Sequence, residues 1–84
     1  MSFSVVWVAA AEAELAEVWM RSKRRAAVTA AAFALDELLS AEGPEVGESR
    51  DGELRIAFQH PLGIHFRLEP ESQTIQVGSV WEIR

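Results

Sequence analysis

Cysteine and tyrosine are absent from this 84-residue sequence, and proline occurs only three times. Without cysteine, no disulfide can staple the chain and no thiolate can ligate a metal. Two histidines alone are too few for a structural zinc site. No metal or cofactor is expected. No apolar run approaches the ~20 residues that a membrane-spanning helix requires. Nothing at the start resembles a signal peptide, because a basic leading segment is missing and an acidic, helix-forming stretch follows directly. The expected location is the cytoplasm. Positive charge is scarce too. Eight Lys and Arg oppose thirteen Asp and Glu, a net charge of −5. So acidic a surface repels polyanions, and tight nucleic-acid binding by the chain alone is not expected.

What is present suits a small packed core. Apolar residues make up 49% of the chain, with three Trp and four Phe. That is a globular composition, and the length suits one domain spanning residues 1–84. Phe3–Val8 (FSVVWV) is apolar, β-branched and aromatic. It predicts a strand, and with both faces apolar an interior one.

Periodicity then changes. In Ala9–Arg21, Ala11, Leu15, Val18 and Trp19 fall on one helical stripe. A second helix is predicted from Lys23 to Glu42, with Ser22 as its cap. Val28, Ala31, Leu35, Leu38 and Leu39 form its apolar face, and Gly43-Pro44 stops it. The short connection makes the two an antiparallel hairpin. Pro44–Glu53 is polar, without periodicity, and predicts a loop.

From Leu54 to Ile83 the period is two, which alternates side chains between faces. Leu54, Ile56 and Phe58 alternate with Arg55, Ala57 and Gln59. Leu62, Ile64, Phe66 and Leu68 alternate with Gly63, His65, Arg67 and Glu69. Ile75, Val77, Trp81 and Ile83 alternate with Gln76, Gly78, Val80 and Glu82. His60-Pro61 and Pro70–Gln73 mark the turns. The expectation is an α+β domain: a helical hairpin on a mostly antiparallel four-stranded sheet, in the order β-α-α-β-β-β. One sheet face is greasy and lies under the helices. The other carries Arg55, His65, Arg67 and Gln76. The expected core joins Leu15, Val18, Trp19, Val28, Leu35, Leu38, Ile56, Phe58, Ile64, Phe66, Ile75 and Val77.

That order, with the strand FSVVWV, the helix stretch AEAELAEVW, the helix RRAAVTAAAFALDELL and the segment VGESRDGELRIAFQHPLGIHFRLEPESQTIQVGSVW, resembles the RelE/ParE superfamily, toxins of type II toxin–antitoxin pairs. The resemblance spans nearly the whole chain. It implies a RelE/ParE-like fold, a small antitoxin as partner, and a role of the plasmid-stabilisation kind. It implies one of two targets: a protein such as gyrase, or mRNA on the ribosome. A homodimer is also compatible. Ribonuclease members carry several basic residues on the sheet and a Tyr or His near the C-terminus. Here tyrosine is missing, and the position that often holds a catalytic Arg aligns with Gly63. A ParE-like protein target is therefore expected first. A ribonuclease with a depleted site comes second, and a non-toxic binding module of the same fold third.

Arg55, His65 and Arg67 are the candidate catalytic residues if the chain is a nuclease. Cleavage through a 2′-hydroxyl needs a base, an acid and positive charge on the phosphorane, which one His and two Arg supply. The alternative is a solvated strand face with cross-strand pairs to Glu53 or Glu69. Arg50, Arg55 and Trp81 are the candidate target- or partner-binding residues. For Arg50 the alternative is a surface ion pair with Glu48 or Asp51. Trp7, Trp19 and Trp81 read most simply as core, with an interface position as the alternative for Trp81, and His60 reads as a turn residue. A groove between the hairpin and the sheet edge would suit a partner helix or strand. The alternative is a closed core.

Overall fold

Two helices form where alanine is dense and proline absent. The structure, a computed structural model, describes residues 2–84. β1 is Ser4–Trp7, α1 is Ala9–Arg21 and α2 is Arg25–Glu42. A single 3₁₀ turn, Gly43–Val46, leads into β2 (Glu48–Asp51), β3 (Leu54–Gln59), β4 (Leu62–Glu69) and β5 (Thr74–Glu82). α1 has the bounds its periodicity predicts. α2 starts later than expected, because Lys23 and Arg24 make the turn and Arg24 is the cap position. Ser22 therefore caps nothing in the helix. Its hydroxyl accepts the Arg24 backbone N–H at 2.9 Å and donates to Glu82 at 2.8 Å. Gly43 ends α2 at φ +66°, and the Phe3 ring occupies the space where a Cβ would stand.

The sheet has five strands rather than four, in the order β1-β5-β4-β3-β2. β1 runs parallel to β5, and the other pairs are antiparallel. β2 lies in the expected loop. Its four residues are all exposed, so it has no buried face and no period to reveal it. Backbone pairing to β3 holds it. β1 is an edge strand, not an interior one, and Val6 is 47% exposed. No helix is long and apolar enough to cross a membrane among the described residues.

Register decides which residues meet the helices. Directly paired residues share a face. Ala57 pairs with Ile64 and Arg55 with Phe66, both on the buried side. So Arg55, Ala57 and Gln59 face the helices, and Leu54, Ile56 and Phe58 face away. The expectation for β3 was the reverse. Ala57 is small enough to be buried, while Phe58 is 55% exposed.

In β5 the pairing slips once. Ser79 opposes His65, Val77 opposes Phe66, and Gly78 is left over as a bulge. Past the bulge every side chain changes face. Val80 joins Ile75 and Val77 in the core, and Trp81 joins His65 on the open face. The bulge lies beyond the end of β1, where the strand edge lacks a neighbour. There the Glu14 carboxylate of α1 accepts the Val80 N–H at 3.1 Å.

The core lies between the helices and one sheet face. Ala11, Val28, Ala31, Leu35 and Leu39 meet Leu62, Ile64, Phe66, Ile75, Val77 and Val80 there. Leu15 and Val18 pack at its margin. Trp19, Leu38 and Phe58, expected inside, do not join it, and Ile56 is buried but on the opposite face of the sheet, paired with His65. Trp19 is 42% exposed.

Candidate functional site

The open sheet face is built by three strands. β4 supplies Gly63, His65 and Arg67. β5 supplies Gln76, Ser79 and Trp81, and β3 adds Ile56 and Phe58. Gly63 opposes Trp81, and a Cβ at Gly63 would meet the indole at 2.7 Å. Glycine therefore lets Trp81 lie down against the sheet. The His65 ring sits 4.8 Å from the indole, tilted by 50°. Phe58 meets it edge-on at 6.3 Å. His65 Nδ1 lies 3.1 Å from the Ser79 hydroxyl, which can donate or accept. This pair orients the imidazole.

The candidate residues separate. His65 and Arg67 share the open face, with Arg67 exposed opposite Gln76. Trp81 is there too, brought by the bulge. Arg55 is on the other side of the sheet, against the expectation, because its register partner is Phe66. Its Nη2 donates to the Gly47 carbonyl at 2.6 Å, and its buried Nε has no acceptor. A phosphate held by His65 and Arg67 would not reach it through the sheet. Arg50 is exposed on β2 at a register shift, away from both groups. It forms no ion pair with Glu48 or Asp51 among the described residues. His60 is exposed in the turn before Pro61.

A second feature lies on the outside of the helical hairpin. α1 and α2 splay around a groove of about 540 Å³. Its apolar walls are Trp7, Leu15, Trp19, Val28 and Phe33, and its small residues are Ala16, Thr29 and Ala32. Trp7 comes from β1, so the groove reaches the sheet edge, but its other walls are the two helices, whereas the expected groove lay between the hairpin and that edge. Phe33 is 67% exposed.

Charges mark the two ends of the groove. At one end are Glu12 and Asp36, and Asp36 accepts the Trp7 indole N–H at 3.2 Å. At the other, the Arg25 guanidinium stacks over Trp19 at 4.7 Å. It donates to the Trp19 and Met20 carbonyls at 2.9 and 2.7 Å, filling acceptors left free at the end of α1. Phe33 escaped the sequence reading. The signal was available: Phe33 falls off the stripe of Val28, Ala31, Leu35 and Leu39, so one hairpin carries apolar residues on two faces.

A clasp ties the end of β5 to the turn between the helices. Arg24 Nη2 donates to Glu82 and to the Ile83 carbonyl, both at 2.8 Å. The Ser22 hydrogen bond and then Arg24 hold the Glu82 carboxyl below its ordinary pKa. Among the described residues, no three His, Asp or Glu side chains converge to hold a metal ion.

No protein-family model matches the chain, and no curated protein matches it significantly. Solved structures do. The toxin–antitoxin complex RelBE2 from Mycobacterium tuberculosis contains a chain that superposes with a TM-score of 0.78 at 19% identity. The match covers 98% of this chain and 92% of that one. The chromosomal ParDE TA system from P. aeruginosa matches with a TM-score of 0.75 at 15% identity, over 99% and 98% of the two chains. The fold of this chain is RelE/ParE-like, with five strands among the described residues.

Proposed function

We propose that this chain, with its RelE/ParE-like fold, is the toxin component of a type II toxin–antitoxin pair. A small cognate antitoxin holds it inactive by seating an amphipathic segment in the groove between α1 and α2. The observation that carries this reading is the groove itself. It places Trp19 and Phe33 in solvent on an otherwise acidic chain, and exposed apolar grooves mark partner sites.

The toxin acts by binding a protein, in the manner of a ParE-type member. Its contact is the open sheet face, where Trp81, Phe58 and His65 form an aromatic cluster beside Arg67. Nuclease action is disfavoured because Arg55 is turned away from His65 and Arg67. Induced expression tests the proposal. Wild type should slow growth without cutting mRNA, and the neighbouring reading frame should restore growth. Thr29→Trp, which fills the groove from an exposed position, should stay toxic yet escape that rescue. Normal growth on wild-type induction would leave only a non-toxic binding module. Fresh mRNA cuts would make it a nuclease.

A further inference from the structure

We infer that the groove accepts its partner helix in one direction, parallel to α1, with cationic residues at the helix start and anionic residues at its end. The inference rests on the reading that this groove seats an antitoxin segment, and it adds that segment's polarity. Both ends of the groove carry charged side chains that form no ion pair among the described residues. Glu12 and Asp36 form no ion pair among the described residues. Arg25 bonds backbone carbonyls and has no carboxylate partner among the described residues. Arg21, nearby, is already paired with Glu17 at 3.2 Å.

The two ends are well separated. Glu12 and Trp19 are seven residues apart on α1, or ~10 Å at the helical rise. Arg25 and Asp36 are eleven apart on α2, or ~16 Å. The groove therefore spans about two to three turns of a docked helix. A helix N-terminus is partially positive and its C-terminus partially negative. The first suits the Glu12–Asp36 end, and the second suits Arg25. Side-chain complementarity adds the same preference, with Lys or Arg near the start and Glu or Asp near the end. Small residues at Ala16, Thr29 and Ala32 let the partner's apolar stripe approach between Trp7, Trp19 and Phe33.

Two stapled three-turn peptides test this. They share one Leu/Ala stripe and one composition. One has Lys in the first turn and Glu in the last, and the other is reversed. Stapling makes both helical before binding. Fluorescence polarisation should show the Lys-first peptide binding about three- to tenfold more tightly, as expected for two rim charge pairs. Glu12→Lys, at an exposed site, should erase or invert that preference. Thr29→Trp should abolish binding of both peptides, and Phe33→Ala should weaken both, with melts matching wild type. Equal affinities, or tighter binding of the reversed peptide, overturn the polarity while leaving the groove as a helix site. If neither peptide binds, or if Thr29→Trp and Phe33→Ala change nothing, the groove reading falls and this inference falls with it.

Discussion

Arg55 carries its charge on the helix side of the sheet, between Phe66 and the Gly47 carbonyl. A hydrogen bond from a charged group contributes more than a neutral one, and the alkyl stem packs as well. Arg55→Ala should therefore cost about 1–3 kcal/mol in a urea melt. Arg67, exposed on the opposite face, should change stability by less than about 0.5 kcal/mol when truncated. If both variants melt like wild type, the register of β3 is not the one described. The pair also separates folding from function. In the growth assay, Arg67→Ala can report on target contact without a stability correction, and Arg55→Ala cannot. Gly63 is the other residue whose role is local. Trp81 is placed by the missing Cβ beneath it.

Among the elements, α2 depends on burial more than on its caps. Its cap position has no side-chain hydrogen bond, yet Leu35 and Leu39 are fully buried. Leu35→Ala should cost about 2–5 kcal/mol, from lost transfer energy and the cavity left behind. A loss below about 0.5 kcal/mol would mean that α2 presents another face to the sheet. The end of β5 depends on charge instead. Glu82 has a depressed pKa in the folded state, so its stabilising effect is present at neutral pH. That effect is lost as pH falls through the folded-state pKa. Glu82→Gln removes this linkage. Melting temperatures of wild type and Glu82→Gln should differ at pH 7 and converge toward pH 3. Curves that stay parallel would show that the clasp with Ser22 and Arg24 contributes nothing through its charge.

At the scale of the whole molecule, the acidic balance limits the partners. A net charge of −5 opposes binding to any polyanion, and phosphate contacts supply most non-specific affinity. The basic groups are dispersed: Arg55 under the sheet, Arg67 on top, Arg50 at the β2 edge and Arg25 on Trp19. Binding to random single-stranded RNA at physiological salt should be weaker than micromolar in a filter or polarisation assay. Submicromolar affinity would reopen the nuclease reading. The molecule instead presents two apolar surfaces on opposite sides, the helical groove and the aromatic cluster of the open face.

Local pattern was enough for part of this. The helical period of Ala9–Arg21 set α1, Gly43-Pro44 set the end of α2, and the β4 alternation from Leu62 to Leu68 set its faces correctly. Each of these is a property of a few neighbouring residues and of the backbone geometry they favour. Tertiary structure decided the rest. Leu54–Gln59 has apolar side chains at both parities, so only pairing with β4 could tell that Ala57 goes in and Phe58 goes out. The Gly78 bulge inverted Val80 and Trp81, because one extra residue changes the parity of everything after it. β2 formed without any apolar signal, by backbone hydrogen bonds to β3 alone. The groove, too, exists only once two helices are packed, since it is the space that Trp7, Trp19 and Phe33 leave between them.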